Sequence, residues 1–260
     1  MSDQPTVLIT GASSGIGAAY ADRFARRGQD LVLVARDEVR MEALASKLRA
    51  QTGVSIDVVK ADLTQAADLA AVSKRVREDD RIGVLINNAG AGLSGVFVEQ
   101  SSIAQQNLVA LNVAAVLELA NAIAPRLVQA GSGAIVNIGS VVGLAPEFGL
   151  TTYGATKAFV LFLSQGLAFE LGPKGVYVQA VLPSGTRTEI WDRSGADPAN
   201  LPSLMEVADL VDAAMVGFDR REPVTIPPLQ DAGLWEAFQG ARQVMLPGFA
   251  TTVPADRYRG

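Results

Sequence analysis

Tyr153 and Lys157 are the residues whose types and spacing point most directly to chemistry. They stand four positions apart in a segment of helical pattern, shortly after Ser140, in a chain that contains no histidine. Residues four apart share one face of a helix, so the ammonium can lie beside the phenol and favour its ionised form. A free phenol titrates near ~10, and a lowered pKa would let it donate or accept a proton at neutral pH. The same spacing also arises by chance on many helices, so other motifs must decide between the two interpretations.

A glycine-rich turn near the N-terminus is typical of a phosphate-binding site. Residues 6–10 have the pattern of a short buried strand, Gly11, Gly15 and Gly17 follow in the turn, and a helical pattern covers 18–27. Main-chain N–H groups at a helix N-terminus favour a pyrophosphate, and glycine allows the phosphate to approach closely. The spacing G-x-x-x-G-x-G differs from G-x-G-x-x-G, and the lack of a Gly-Lys-Ser/Thr ending disfavours a nucleoside triphosphate P-loop. The alternative is that these glycines only let helix and strand pack closely.

Length and composition indicate one globular domain over residues 1–260. The chain is 49% hydrophobic and 19% charged, and its net charge of −5 disfavours a nucleic-acid-binding surface. Without cysteine there is no disulfide framework, and without cysteine and histidine no metal site is expected. The longest apolar run, 158–163, is too short to span a membrane, and the N-terminus has no signal-peptide pattern. We therefore expect a cytoplasmic protein that binds neither membrane nor nucleic acid.

Strand-like and helical patterns alternate along the chain, which predicts an α/β fold. Alternation of this kind implies parallel strands joined by right-handed crossovers, so we expect a Rossmann-type, doubly wound parallel sheet of seven strands. Ligands of such sheets bind at the carboxyl ends of the strands. Gly11, Arg36, Asp62, Asn87 and Ser140 each follow a strand pattern directly, so we expect them to converge on one crevice. The predicted strands are residues 6–10, 30–35, 54–60, 82–86, 133–138, 175–182 and 223–226.

Taken together, the motifs resemble those of the classical short-chain dehydrogenase/reductase family. The resemblance covers about residues 5–190 and is carried by the turn Thr10-Gly11-x-x-x-Gly15-x-Gly17, by Asn87-Asn88-Ala89-Gly90, by Asn112, by Ser140 and by Tyr153-x-x-x-Lys157. It implies that Tyr153 is the acid in carbonyl reduction and the base in alcohol oxidation. It implies that Lys157 lowers the Tyr153 pKa and binds the nicotinamide ribose, that Ser140 holds the substrate oxygen, and that Asn112 binds a water that relays protons.

Some of these residues keep a structural interpretation beside the functional one. Ser140 could be a helix or turn cap, and Asn112 could be an interior helical asparagine that bonds a main-chain carbonyl. For Asn88 we prefer the structural role, in which it steadies the sheet. The resemblance is imperfect after the sixth strand, where Ser184 follows Pro183 in place of the usual glycine. A serine there would be strained if the main chain needs a positive φ.

The expected cofactor is NADP(H) rather than NAD(H), because Arg36 stands at the end of the second strand. An acidic residue near this place binds the ribose of NAD, whereas an arginine accommodates the 2′-phosphate of NADP. Asp37 could take the ribose or neutralise Arg36, although its side chain should point the other way in an extended segment. The cofactor-binding residues that the resemblance implies are Gly11, Ser13, Ser14, Gly15, Ile16, Gly17, Arg36, Asp62, Leu63, Asn87, Ala89, Gly90, Tyr153, Lys157, Pro183, Thr186 and Thr188.

The predicted function is hydride transfer between NADP(H) and a carbonyl or alcohol carbon of a medium-sized, mainly apolar substrate. Alternatives are a 3-oxoacyl-carrier reductase and a non-catalytic NADP-binding sensor. The irregular stretch 186–204, with Trp191, predicts a substrate lid, and 227–260 forms a C-terminal tail. The helical pattern around Tyr153 is apolar on a second side as well, so we expect a homodimer or homotetramer.

Overall fold

The computed structural model describes residues 4–195 and 203–259, and its centre is a seven-stranded parallel sheet. The strand order is β3-β2-β1-β4-β5-β6-β7, and every neighbouring pair is parallel. All seven predicted strands are confirmed, each within a few residues of its predicted limits. The strands are β1 Thr6–Thr10, β2 Leu31–Ala35, β3 Ile56–Lys60, β4 Ile82–Asn87, β5 Ala134–Ile138, β6 Tyr177–Val181 and β7 Val224–Thr225.

Helices cover both faces of this sheet, which is what a doubly wound fold requires. A π-helical turn, Ala110–Ala114, joins two of them into one long run, and the longest single helix carries Tyr153 and Lys157. The helices are α1 Gly15–Arg26, α2 Glu38–Thr52, α3 Ala66–Glu78, α4 Ser102–Val109, α5 Ala115–Ala130, α6 Thr151–Leu171, α7 Ile190–Ser194, α8 Val207–Asp219 and α9 Ala232–Met245.

The sheet is buried on both faces, because successive residues of a strand point to opposite sides. In β1, Val7 and Ile9 join the apolar cluster that includes residues of α1, α2 and α8. Leu8, between them, joins the opposite cluster, which includes residues of α3, α5 and α6. This accounts for the continuous apolar runs in the central strands, which show no polar alternation.

The strand order reverses between β1 and β4, and this point forms the crevice in which open α/β sheets bind their ligands. Two side chains join the strands there. The Thr10 hydroxyl accepts hydrogen bonds from the main-chain N–H groups of Asn88 and Ala89, both at 3.0 Å. The Asn88 amide donates to the carbonyls of Thr10 and Gly11 at 2.8 and 3.2 Å. The preferred structural role of Asn88 is therefore confirmed.

The run Ser102–Ala130 is long and apolar enough to cross a membrane by length and composition alone. Its apolar side, however, is packed in the protein interior. Leu119, Ile123 and Leu127 are at most 2% exposed and belong to the same apolar cluster as strand residues of the sheet. A helix that packs in the core of an α/β domain can therefore be as long and as apolar as a membrane-spanning helix.

The chain divides into two compact units, residues 1–227 and 228–260. The first contains the whole sheet and every residue predicted to act in catalysis or cofactor binding. The second contains α9 and two short 3₁₀ turns, Leu246–Ala250 and Asp256–Tyr258.

Candidate active site

The glycine turn lies at the carboxyl end of β1, directly before α1. Gly11 and Gly15 have φ angles of 67° and 54°, a region that favours glycine. A Cβ on Gly17 would stand 2.4 Å from the Gly11 carbonyl oxygen, so the turn and the helix could not approach in this way with a side chain there. The glycines therefore do allow the helix and the strand to pack closely, which was the alternative interpretation of this turn. The N-terminus of α1 has no acidic residue in its first turn, which leaves its main-chain donors suited to an anion.

Tyr153, Lys157 and Ser140 come together although they belong to different elements. Ser140 follows β5, and its hydroxyl makes a hydrogen bond with the Tyr153 phenol. The Lys157 Nζ lies 5.7 Å from the centre of the Tyr153 ring and donates a hydrogen bond to the Ile138 carbonyl at 2.9 Å. The α6 helix thus presents both side chains to the end of β5, as the four-residue spacing predicts.

A 3₁₀ helix, Val141–Leu144, holds Ser140 in place and fits tightly against α6. Ser140 caps it, because the hydroxyl accepts from the Val142 N–H at 3.2 Å. The same hydroxyl lies 3.3 Å from the Pro183 carbonyl, to which it can donate. A Cβ on Gly143 would meet the Ala158 nitrogen and the Lys157 carbonyl carbon at 2.7 Å. Ser140 is therefore both a cap and a neighbour of the phenol, so the two interpretations are compatible.

Burial sets the protonation states of the pair. It raises the pKa of the half-buried Tyr153 phenol to about 12, and the hydrogen bond with Ser140 acts in the lowering direction without overcoming it. Burial also lowers the pKa of Lys157 to about 8. The sequence led us to expect a lowered Tyr153 pKa. In the protein alone the pKa of Tyr153 is shifted in the opposite direction, because desolvation by burial outweighs the hydrogen bond with Ser140. Tyr153 is therefore neutral at pH 7 and suited to donate a proton.

Asn112 lies in the π-helical turn between α4 and α5 and is 1% exposed. Its amide oxygen accepts from the Ala91 N–H and its amide nitrogen donates to the Ala91 carbonyl, both at 3.0 Å. The amide nitrogen also donates to the Thr156 hydroxyl at 3.2 Å. Asn112 therefore does bond a main-chain carbonyl, as the structural interpretation of this residue predicts. Asn112 fixes the loop after β4 against α6 beside Lys157, and its predicted part in a proton relay stays a prediction.

Arg36, at the end of β2, is a charged residue whose guanidinium is available to bind a ligand. Arg36 is exposed and has no ion pair among the described residues, although its charge helps to lower the pKa of Asp62. Asp37 is engaged differently, since it caps α2 by accepting from the Arg40 N–H at 3.0 Å and pairs with the Arg40 guanidinium at 3.3 Å. Asp37 is thus held away from the role of neutralising Arg36.

Asp62 follows β3 and is oriented by its neighbours. One carboxylate oxygen accepts from the Thr64 N–H at 3.0 Å and from the Thr64 hydroxyl at 2.7 Å. Burial by itself would raise the pKa of Asp62, but these hydrogen bonds and the charge of Arg36 hold it below its ordinary value. Leu63 is 6% exposed and belongs to the apolar core, so its side chain cannot line the crevice and only its main chain can.

Two residues of the loop after β4 differ in what they can offer a ligand. The Asn87 side chain is buried and donates to the Asn137 amide oxygen at 3.0 Å, so only its main chain can serve the predicted cofactor contact. Gly90 lies beside Asn112 and Lys157, because a Cβ there would stand 3.3 Å from the Asn112 amide oxygen and 3.6 Å from the Lys157 Nζ. Ser13, Ser14 and Ile16 are half-buried in the glycine turn, and Ala89 is half-buried after β4.

The segment after β6 turns back over the glycine turn. Thr188 lies against Gly15, where an added Cβ would meet its methyl group at 3.1 Å. The Thr186 carbonyl accepts from the Trp191 indole at 2.7 Å, so its main-chain N–H is the group that remains for the predicted carboxamide contact. Ser184 is not among the described residues with positive φ, so it replaces the usual glycine without strain.

A cavity of about 600 Å³ lies between this segment and the glycine turn. Ser14 and Gly15 form one side, and Thr188, Trp191 and Leu204 contribute to the other. Trp191 is half-buried and lines this cavity. Part of the predicted lid, residues 196–202, lies outside the described residues.

Some contacts at the site were not found from the sequence. The Arg40 guanidinium binds the Glu189 carboxylate at 2.7 Å and so connects α2 with the segment after β6. The Ser94 N–H donates to the Ser194 carbonyl at 3.1 Å, which connects that segment with the loop after β4. In each contact the two residues are far apart in sequence and belong to no common motif. Only the opposite charges of Arg40 and Glu189 could have suggested the first contact from the sequence.

These features belong to a known family. The sequence profile of the short chain dehydrogenase family matches residues 5–199, and the chain belongs to this family. The predicted family, the fold and the oxidoreductase class are therefore confirmed. A short-chain dehydrogenase from Sphingobium yanoikuyae, solved in complex with NADPH, is similar over 98% of this chain and 99% of its own, with 65% identity and a TM-score of 0.96.

Two further relatives are named for different substrates. The bulky-bulky ketone specific alcohol dehydrogenase from Comamonas testosteroni is 59% identical, covers 99% of both chains and has a TM-score of 0.92. The very-long-chain 3-oxoacyl-CoA reductase of Anas platyrhynchos is 33% identical over 187 residues, which are 70% of this chain. The chain spans only 60% of the length of that reductase.

Proposed function

We propose that the protein interconverts a ketone and an alcohol with NADP(H), and that Tyr153 transfers the oxygen-bound proton. The observation that carries the proposal is the grouping of a protonated phenol, the Ser140 hydroxyl and the buried Lys157 at one end of the sheet. The cofactor supplies the hydride when bound. Tyr153 donates its proton to the carbonyl oxygen in reduction and accepts one in oxidation. Ser140 holds that oxygen as negative charge develops on it.

The fit of the chain to a dinucleotide rests on three places. The glycine turn with the N-terminus of α1 suits the pyrophosphate, since its main chain is open and no acidic side chain stands there. Asp62 at the end of β3 suits the adenine, and Lys157 suits the nicotinamide ribose. Arg36 suits the 2′-phosphate, because its guanidinium is exposed and not paired with Asp37. The NADPH bound by the Sphingobium yanoikuyae relative supports the same assignment.

For the substrate we propose a ketone with two sizeable apolar substituents. The support comes from the printed specificity of the Comamonas testosteroni relative at 59% identity and from the exposed apolar side chains near the catalytic helix. Phe97 and Phe148 are 54% and 57% exposed. Each lies within four residues of the Gln100–Thr152 contact, which joins the loop after β4 to the start of α6. Apolar surface of this kind suits an apolar ligand.

The experiment that tests this function is NADPH oxidation, followed at 340 nm, with a panel of carbonyl compounds. Diaryl and branched dialkyl ketones should be reduced faster than acetone or acetaldehyde. A second candidate, a 3-oxoacyl thioester reductase, is favoured by the name of the Anas platyrhynchos relative, and a 3-oxoacyl-CoA in the panel would reveal it. Tight NADPH binding with no turnover of any compound would instead support a sensor.

The lysine gives the reaction a pH dependence with a definite sign. The pKa of Lys157 is lowered to about 8, so above pH 8 the ammonium loses its proton and no longer stabilises the charge left on Tyr153. Tyr153, with a pKa of about 12, stays protonated over the same range. We expect kcat/KM for ketone reduction to fall as the pH rises through about 8, since this parameter reports the free enzyme. A profile that stays flat up to pH 10 would contradict the assignment of Lys157.

We propose that 186–204 acts as a lid and that the protein works in the cytoplasm. Support for the lid is the set of contacts that residues 186–195 make with three separate elements, through Thr188, Glu189 and Ser194. Few of these contacts are apolar, and a segment held mainly by polar surface contacts opens at low cost. The lack of cysteine supports the location.

We also propose a homodimer formed through α6, alone or as half of a tetramer. Lys157, Val160 and Ser164 are buried on one side of α6, whereas Phe162 and Phe169 on the other side are 80% and 85% exposed. Two exposed phenylalanines on one helix are typical of an interaction surface. Phe162→Glu should therefore lower the sedimentation coefficient to that of the next smaller species. Gln51→Glu, on the exposed end of α2, adds the same charge and should leave it unchanged. A wild-type protein that is monomeric at micromolar concentration would refute the dimer.

A further inference from the structure

The buried side of α6 carries polar side chains that packing against an apolar sheet does not require. Six residues of α6 are buried, and three of them, Thr156, Lys157 and Ser164, are polar. Each of these three side chains makes a hydrogen bond with a residue outside α6. The bond from Lys157 to the Ile138 carbonyl belongs to the site described above. The two hydroxyls have no part in the proposed reaction, so their contacts need another explanation.

The Thr156 hydroxyl ties α6 to the π-helical turn. It donates its only hydrogen to the Tyr153 carbonyl, one turn earlier in α6, at 2.7 Å. Toward any other group it can therefore only accept, and it accepts from the Asn112 amide nitrogen at 3.2 Å. The Asn112 amide must turn its nitrogen toward α6 for this reason, and its oxygen then faces the Ala91 N–H at 3.0 Å. Thr156 thus fixes the orientation of Asn112.

The Ser164 hydroxyl repeats this arrangement two turns later in α6. It donates to the Val160 carbonyl at 2.6 Å and accepts from the Asn137 amide nitrogen at 2.9 Å. Asn137 directly precedes Ile138 in β5, and the Ile138 carbonyl accepts from the Lys157 Nζ. Ser164 therefore binds the strand that carries the hydrogen-bond acceptor of Lys157.

These two hydrogen bonds define the position of α6 in a way that apolar packing does not. Hydrophobic contact is non-directional, so it leaves a helix free to shift along its axis. A hydrogen bond requires a short distance and a nearly linear angle, and a buried amide that loses its acceptor is costly. The two hydroxyls are eight residues apart, which is about 12 Å along a helix. Together they fix both the translation and the rotation of α6, with Lys157 between them.

We propose that Thr156 and Ser164 are positioning residues, which hold Lys157 in register with the Ile138 carbonyl and beside Tyr153. The inference rests on the proposed function, in which Lys157 stabilises the charge on the phenol. A displacement of about 1 Å in an active site can cost 10²-fold in rate. Loss of either hydroxyl should therefore lower kcat, although neither hydroxyl serves as an acid or a base.

Thr156→Val tests the first hydroxyl, because valine keeps the shape of the side chain. The matched control is Thr225→Val, on the α8 side of the sheet. The Thr225 hydroxyl also accepts from a buried amide, that of Gln179, at 2.9 Å, and Gln179 donates in addition to the Ala214 carbonyl at 3.1 Å. Both variants should lower the melting temperature by a similar few degrees, since each leaves a buried amide with one acceptor fewer.

Only Thr156→Val should lower kcat for ketone reduction, by roughly tenfold. Thr156→Ser restores the hydroxyl and should recover most of the wild-type value. An equal loss of kcat in Thr225→Val would show that lower stability, and not position, reduces activity, and it would overturn the proposal. Wild-type turnover in Thr156→Val would overturn it as well. If Tyr153→Phe is inactive in the same assay, the proposed function stands and only the positioning role fails.

Ser164→Ala tests the second hydroxyl independently and also serves if Thr156→Val does not fold. It should lower kcat, and Ser164→Thr should restore it. Hydrogen exchange measured by mass spectrometry tests the position of α6 without turnover. The amides of residues 153–160 should exchange about tenfold faster than in the wild type in both hydroxyl variants, and at the wild-type rate in Thr225→Val. Unchanged protection of α6 in Thr156→Val and Ser164→Ala would overturn the proposal whatever their activity.

Discussion

Tyr153→Phe should abolish ketone reduction and leave NADPH binding nearly intact. The substitution removes only the phenol hydroxyl, which the structure places beside Ser140, and keeps the ring that packs near Lys157. General acid catalysis contributes about 10²–10⁴-fold to a rate, so kcat should fall by at least two orders of magnitude. NADPH affinity, measured by the quenching of tryptophan fluorescence, should change less than about threefold, since no charge is lost.

Tyr20→Phe provides a matched control for this variant. The Tyr20 hydroxyl is buried and has no hydrogen-bond partner among the described residues, so its removal should cost neither activity nor stability. Ser140→Ala should reduce kcat less than Tyr153→Phe does, because Ser140 positions the oxygen and does not supply the proton. A Tyr153→Phe protein with more than half of the wild-type turnover would exclude Tyr153 as the proton donor.

Arg36→Asp should exchange the cofactor preference. With NADPH, the variant loses a charge-assisted contact and places a carboxylate near the 2′-phosphate. A hydrogen bond to a charged group is worth about 1.5–3 kcal/mol, and a bidentate guanidinium contact is stronger than a single one. We expect kcat/KM with NADPH to fall by roughly 10²-fold, since every 1.4 kcal/mol is tenfold. The value with NADH should stay the same or rise, because an acidic residue suits the free ribose.

Lys47 provides a matched control for the Arg36→Asp variant. Lys47→Asp makes the same change of charge on the exposed part of α2, away from the crevice, and should leave the ratio of NADPH to NADH efficiency unchanged. If the unmodified enzyme prefers NADH, then Arg36 does not determine the preference. In that case the Asp37 carboxylate would have to leave its cap on Arg40 to reach the ribose.

The sequence determined the fold, and it predicted which residues form the candidate active site. Strand limits followed from runs such as Leu31–Ala35, which are apolar because both faces of a doubly wound sheet are covered. The pairing of Tyr153 with Lys157 followed from helical spacing, which is a local property of the chain. Ser140 could be placed in the same crevice because the carboxyl ends of parallel strands share one edge of the sheet.

The tertiary structure decided what depends on burial and on contacts between distant segments. The raised pKa of Tyr153 could not be anticipated, because desolvation depends on how α6 packs against its surroundings and not on the neighbouring residue types. The same holds for the buried side chain of Asn87 and for the strain-free Ser184, whose φ is set by the turn around it. The ion pair between Arg40 and Glu189 joins residues 149 positions apart. No local pattern encodes a contact of this kind, since it exists only after the β-strands have brought the two segments to the same edge of the sheet.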